Sequence, residues 1–283
     1  MWGTYILDVY RQQDAREMYE ALERLLGPDA GSAWASGGVY VFWNPDTREP
    51  LYVGITGDFP ERFAQHNGLR SCPVSGCKRE QIARYFAEES EWLGYTILAL
   101  SSLSQPSTHR QRRSLALSDP ELIELNEALS REVLDEIRAL EGRMIALFAR
   151  QFGRPLRWND SPGRLPRVAP DAQDGTLATA VGMFDCLLQA RRSIRELVTD
   201  GQAMIFEEHL HGVRLSALRE AILGGQGFRN DVLRRHLEQG WAAPFIRDEI
   251  VESGYLNQRN PLTIGPILDP PPEDSDETHQ AAS

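Results

Sequence analysis

An α+β fold, a small antiparallel sheet flanked by helices, is predicted by this 283-residue sequence. Two observations carry the prediction. Two β-branched, aromatic runs, 38–43 and 51–56, are separated by turn residues, and residues 125–152 carry sustained helical periodicity.

The elements follow in order. Residues 1–36 predict an N-terminal helical arm: after the short apolar stretch Tyr5-Ile6-Leu7, the stripe Met18, Leu22 and Leu25 marks a helix over 14–26, stopped by Gly27-Pro28. Gly38-Val39-Tyr40-Val41-Phe42-Trp43 is strand-like, Asn44-Pro45-Asp46-Thr47 is turn chemistry, and Leu51-Tyr52-Val53-Gly54-Ile55-Thr56 is the return strand of a hairpin. Asp58 is suited to cap a helix with Pro60 in its first turn, and Arg62 and His66, four apart, share one face of it. A helix over 79–89, a strand over 94–100 and a polar loop over 101–113 come next. Leu129, Val133, Ile137, Leu140, Met144 and Phe148 then build the stripe of the long helix. Residues 163–175 are a proline-rich, basic linker, and 176–262 read as a mainly helical C-terminal domain interrupted at Gly224-Gly225-Gln226-Gly227 and Gly240. Within it 230–255 loosely suggests a helix-turn-helix. Residues 263–283 form an acidic tail expected to be disordered.

Composition bounds the function. A hydrophobic share of 41% with 25% charged residues is that of a water-soluble globular protein. No run is long enough to cross a membrane, and the start lacks the basic and apolar regions of a signal peptide, so a cytoplasmic location is expected. Net charge is −11, which opposes nucleic-acid binding unless cations are locally concentrated. They are: Arg110, Arg112 and Arg113 cluster, and Arg150, Arg154, Arg157, Arg164 and Arg167 follow the long helix, while the acidic residues beyond Pro266 stand without Lys or Arg. Cys72 and Cys77 have a spacing that suits half a zinc site but lack a second ligand pair apart from His66. In a reducing cytoplasm they are expected to be unpaired residues of a turn. His209 and His211, two apart on a helix, do not face each other and are expected on the surface.

The hairpin and the helix after it bring two phenols, Tyr40 and Tyr52, towards one guanidinium, Arg62, and one imidazole, His66. Guanidinium binds phosphate bidentately and keeps its charge, imidazole moves protons near neutrality, and a phenol becomes a base once a cation lowers its pKa. A phosphodiester also needs its leaving oxygen neutralised by a hard cation.

Gly38-Val39-Tyr40 and Tyr52-Val53-Gly54 resemble the two half-motifs of the GIY-YIG nuclease family, at that family's spacing, with Arg62 and His66 where its arginine and frequent histidine fall. Glu141 on the long helix resembles the family's metal-binding glutamate, and Asn159, after Pro155-Leu156, its terminal asparagine. The resemblance spans residues 37–162. It implies a nuclease domain with a three-stranded antiparallel sheet, the strand 94–100 being the third. It also implies phosphodiester hydrolysis of DNA with one Mg²⁺ or Mn²⁺ held by Glu141. Arg62 would stabilise phosphate charge, one of Tyr40 and Tyr52, aided by His66, would prepare the water, and Asn159 would orient the substrate or the metal shell. Glu136 is a second carboxylate on the same helix. The lysine some members carry after the second half-motif is replaced by Ile55 and Thr56, with Arg70 and Lys78 as substitutes. Arg70, Lys78, Arg110, Arg112, Arg113 and Arg157 are the nucleic-acid contacts expected. Restriction or phage defence is the first biological role, with structure-specific repair, homing or non-catalytic nucleic-acid binding as alternatives. A homodimer or a protein partner would engage the C-terminal helices.

Overall fold

The hairpin forms where the sequence puts it. In the computed structural model, which describes residues 3–27, 30, 34–72, 76–101, 120–160, 188–223, 235–236, 244–258 and 260–262, strand β2 (Trp34–Asn44) pairs antiparallel with β3 (Glu49–Thr56). The Asn44 side chain accepts from the amides of Asp46 and Thr47, an Asx-type turn that closes the hairpin. On its other side β2 pairs antiparallel with β4 (Leu93–Ser101).

The sheet has four strands where three were expected, in the order β1-β4-β2-β3. The added strand is β1 (Thr4–Tyr10), which lies antiparallel to β4, so the N-terminal arm is not wholly helical. Its apolar run was too short to signal a strand, and its pairing to β4 is non-local. The outer edge of β1 is also covered: Tyr5 N–H donates to Leu188 O at 2.9 Å and Ala190 N–H to Tyr5 O at 2.8 Å. A strand enclosed on both sides buries nearly every side chain and loses the alternation by which half-exposed strands are read.

Alternation along β2 divides the core. Val39 and Val41 face Ile137, Leu140, Met144, Ile145 and Phe148 of the long helix α4 (Pro120–Phe152). Tyr40 and Phe42 face the opposite way, into a core with Phe59 and Phe63 of α2 (Phe59–His66), Tyr85 of α3 (Arg79–Glu88) and Met18, Leu22 and Leu25 of α1 (Ala15–Leu26).

The C-terminal segments are built into the same cores. Short α5 (Ile194–Leu197) starts with a capping box of Ser193 and Glu196. Ile194, Leu197, Phe206 and Leu210, the latter two from α6 (Gly201–Leu223), and Ile250 of α7 (Pro244–Glu252) join Ile6 and Tyr10 in one cluster. A buried polar network stitches this junction. Glu207 accepts from Arg214 Nη1 at 2.8 Å, the Arg191 amide at 2.7 Å and the Tyr255 hydroxyl at 3.1 Å, while Arg214 also reaches Thr4 Oγ1 at 3.2 Å. His211, expected on a surface, is buried with Nδ1 3.0 Å from Thr4 Oγ1. No described helix is long and apolar enough to cross a membrane. The loop 102–113, the linker 163–175, most of the suggested helix-turn-helix and the tail 263–283 lie outside the described residues.

Candidate active site

Two local devices aim the site. Tyr40 stands opposite Gly54 across the β2–β3 ladder, and a Cβ at Gly54 would sit 2.6 Å from the Tyr40 ring and hydroxyl. Glycine is needed there because the phenol lies directly over the neighbouring backbone. The second device is the start of α2. Asp58 Oδ1 accepts from Glu61 N–H at 2.9 Å, and Thr56 Oγ1 bonds both the amide and the carbonyl of Asp58. That cap fixes the phase of the helix, so Arg62 and His66 point at the hairpin.

The four groups converge. Tyr40 Oη lies 2.7 Å from His66 Nε2 and accepts from Arg62 Nε at 3.3 Å. Tyr40 and Tyr52 ring centroids are 5.9 Å apart, and Tyr52 and His66 6.1 Å. His66 is fully buried, and its Nδ1 accepts the Lys78 backbone N–H at 3.0 Å. Burial, then the charges of Arg62 and Lys78, push its pKa down to about 3. The ring is therefore neutral, with the proton on Nε2 donated to the Tyr40 oxygen. Burial also holds the Tyr40 phenol far above its ordinary value, with Tyr52 adding to the effect and Arg62 opposing it.

Tyr52 differs from Tyr40 in being partly exposed. Its pKa is raised, first by burial and also by the charge of Glu141, while hydrogen bonds with Tyr40 and Arg62 pull it down. Burial disfavours charge on Arg62 itself, but the two phenols outweigh that and its pKa is raised.

Glu141 projects from α4, which packs against β3, the outer strand of the sheet. Carboxylate and phenol come within electrostatic range of each other across that edge. Glu141 is half-buried, its carboxyl raised by desolvation and only partly relieved by Arg138. Among the described residues it has no hydrogen bond or ion pair, and no group of three or more His, Cys, Asp or Glu gathers there or elsewhere. A lone, desolvated carboxylate suits a cation that keeps most of its water and takes its other ligands from a phosphate. Glu136, the competing carboxylate, is exposed.

Asn159 is committed elsewhere. Its side-chain nitrogen donates to Val53 O at 2.8 Å and its oxygen accepts from Val53 N at 2.9 Å, while Trp158 N–H donates to Leu51 O. The amide acts as one more residue of strand pairing on the open edge of β3, which pins the end of α4 beside the site.

Of the cations expected to meet nucleic acid, the three that are described are dispersed and paired. Arg70 binds Glu61 and the Tyr19 hydroxyl, and Arg157 binds Glu89 through both its terminal nitrogens. Lys78, the single lysine of the chain, is buried with its ammonium 3.1 Å from Asp160 and 5.1 Å above the Tyr52 ring. Of these three it alone adjoins the phenols. Arg110, Arg112 and Arg113 lie outside the described residues.

Two further contributors escaped sequence reasoning. Gly76 O accepts from Arg62 Nη2 at 2.6 Å, and Cys72 and Cys77, expected as free thiols, are joined in a disulfide. With both sulfurs in that bond, neither is a thiolate ligand for zinc. The glycine-bearing, cysteine-flanked turn was visible in the sequence, but nothing in it signalled contact with Arg62.

Comparison with family models, with curated proteins and with solved structures gives no match to this chain.

Proposed function

We propose that the protein is a metal-dependent DNA endonuclease of the GIY-YIG type. The observation that carries the reading is the convergence of Tyr40, Tyr52, Arg62 and His66, with Glu141, which pairs with none of the described residues, within electrostatic range of Tyr52. Glu141 would hold one Mg²⁺ or Mn²⁺, which when bound supplies charge neutralisation at the leaving 3′-oxygen.

The chain's own groups divide the remaining work. Arg62 keeps its charge and lies against both phenols, so it can offer N–H donors to a phosphate oxygen seated beside Tyr52. His66 and Arg62 donate to Tyr40, fixing that phenol as a buried acceptor whose own proton can turn towards Tyr52. Tyr52 is the phenol solvent reaches, and so the one we assign to take the proton of the attacking water. Neutralising Glu141 removes one of the influences that raise the Tyr52 pKa, which couples cation binding to base strength. Asn159 supports the β3 edge, and Lys78 is placed to meet substrate phosphate once Asp160, which is largely exposed, gives way.

A restriction or phage-defence role is the biological setting we propose. The test is cleavage of supercoiled plasmid by the full chain. Nicking or cutting should require Mg²⁺ or Mn²⁺ and stop with EDTA, and undiminished cleavage in chelator would overturn the metal-dependent reading.

A further inference from the structure

The turn after α2 touches the site at several points. Gly76 O accepts from Arg62 Nη2 at 2.6 Å, the Lys78 amide donates to His66 Nδ1 at 3.0 Å, and the Lys78 ammonium lies 5.1 Å above Tyr52. Gly76 adopts φ +77, a left-handed conformation that side chains resist, and a Cβ there would sit 3.2 Å from Arg62 Nη2. The Cys72–Cys77 bond ties this segment back covalently, and its second cysteine lies between Gly76 and Lys78. Without it, exposed Gly76, whose carbonyl holds Arg62, and Cys77, which directly precedes the buried Lys78 amide that selects the His66 tautomer, lose their covalent tie to Cys72 at the end of the preceding segment.

We propose that the Cys72–Cys77 disulfide is the positioning element of this site, holding Gly76 and Lys78 against Arg62 and His66, and that its reduction releases those two side chains and lowers turnover. This rests on the hydrolytic reading above for its effect on rate, but not for its effect on His66. The switching step is thiol–disulfide exchange. A dithiol such as dithiothreitol gives two electrons and two protons, the Sγ–Sγ bond breaks to two thiols, and the reagent closes to its own cyclic disulfide. Oxidised glutathione reverses the step, leaving as two molecules of glutathione.

The experiment compares the full-length protein oxidised with oxidised glutathione and reduced with dithiothreitol. It reads the ¹⁵N resonances of the His66 ring, assigned through His66→Gln, and plasmid cleavage with Mg²⁺. In the oxidised form His66 should show a single neutral tautomer protonated at Nε2. Reduction should shift those resonances towards a tautomer mixture and lower kcat by about tenfold to a hundredfold, the scale of losing alignment at a reacting centre. Reoxidation should restore both. Cys72→Ser and Cys77→Ser proteins should match the reduced wild type in either buffer, and Cys186→Ser should keep the full response. His66 resonances unchanged by reduction would overturn the proposal, as would a cysteine variant with the turnover of the oxidised wild type. If a variant fails to fold, the reduced wild type carries the test. A His66 response with no cleavage in either state would uphold the positioning role and remove the nuclease reading.

Discussion

His66 donates to Tyr40: its Nε2 lies 2.7 Å from the phenol oxygen while the Lys78 amide occupies Nδ1 at 3.0 Å. With one ring nitrogen accepting and the other donating, the imidazole has no free lone pair with which to shuttle protons, the role its residue type alone suggested. It is a fixed donor that, with Arg62, makes the buried Tyr40 oxygen an acceptor.

Removing the Tyr40 hydroxyl should therefore cost both stability and activity. In Tyr40→Phe the ring packing stays, but the buried His66 N–H and one Arg62 donor lose their acceptor. The expected destabilisation is about 1–3 kcal/mol by urea unfolding, with loss of plasmid cleavage. Tyr95 is the internal control. It packs beside Tyr40 with centroids 5.9 Å apart, and its buried hydroxyl has no hydrogen-bond partner among the described residues. Tyr95→Phe should be neutral or stabilising by up to about 1 kcal/mol and keep wild-type cleavage. Equal behaviour of the two variants would mean that the Tyr40 bonds are unimportant.

Acid should destabilise the fold through its buried histidines. Burial lowers His66 and His211 to about 3, against an ordinary value near 6.5. Between those values the unfolded chain binds a proton at each site that the folded chain does not, so stability rises with pH through that window and is lost as pH falls from about 6.5 towards 3. Urea midpoints should drop between pH 7.5 and 5. In His211→Gln the drop should be smaller, whatever the variant's stability at pH 7.5, and an unchanged drop would exclude His211 as a source.

Glu141→Gln keeps the shape of the side chain and removes its charge. It should abolish Mg²⁺-dependent cleavage while leaving DNA binding close to wild type, since on the proposed reading the lost group would face phosphate with a negative charge. Because burial raises the carboxyl above its ordinary 4.5, Mn²⁺ binding to the wild type, followed by calorimetry, should weaken as pH falls while still above that value. Wild-type cleavage by Glu141→Gln would dissociate the metal from this helix.

What was legible in the sequence was local. Asp58 and Pro60 announce the start of α2, the four-residue spacing puts Arg62 and His66 on one face, and β-branched runs around Asn44–Thr47 announce the hairpin. The partner of each strand beyond the hairpin was not local. β1 pairs with β4 across most of the N-terminal third, and Thr4 meets Arg214 and His211 from the far end of the chain. Asn159 shows the same limit: its position was legible, but its bonds to the Val53 backbone depend on α4 ending beside the open edge of β3. Arg70 and Arg157 looked like free cations because a sequence does not show that Glu61 and Glu89 will stand opposite them.

The junction between β1 and the C-terminal segments should prove essential to folding. Asp8, buried on β1, accepts from the Arg195 amide at 2.9 Å and from its guanidinium at 3.1 Å, and Glu207 with Arg214 forms an ion pair sealed from solvent. Breaking such a pair from one side leaves an uncompensated buried charge, so Glu207→Ala should cost about 3–5 kcal/mol, against at most about 1 kcal/mol for Glu220→Ala at the exposed pair with Arg235. A fragment ending at residue 160 keeps every candidate catalytic group, yet it loses the segment that covers the β1 edge and the apolar side chains packed on Ile6 and Tyr10. It should therefore melt without a cooperative transition and associate through the exposed strand edge, which calorimetry and light scattering would report. A monomeric fragment with a sharp transition and wild-type cleavage would mean that residues 188–262 form a dispensable appendage.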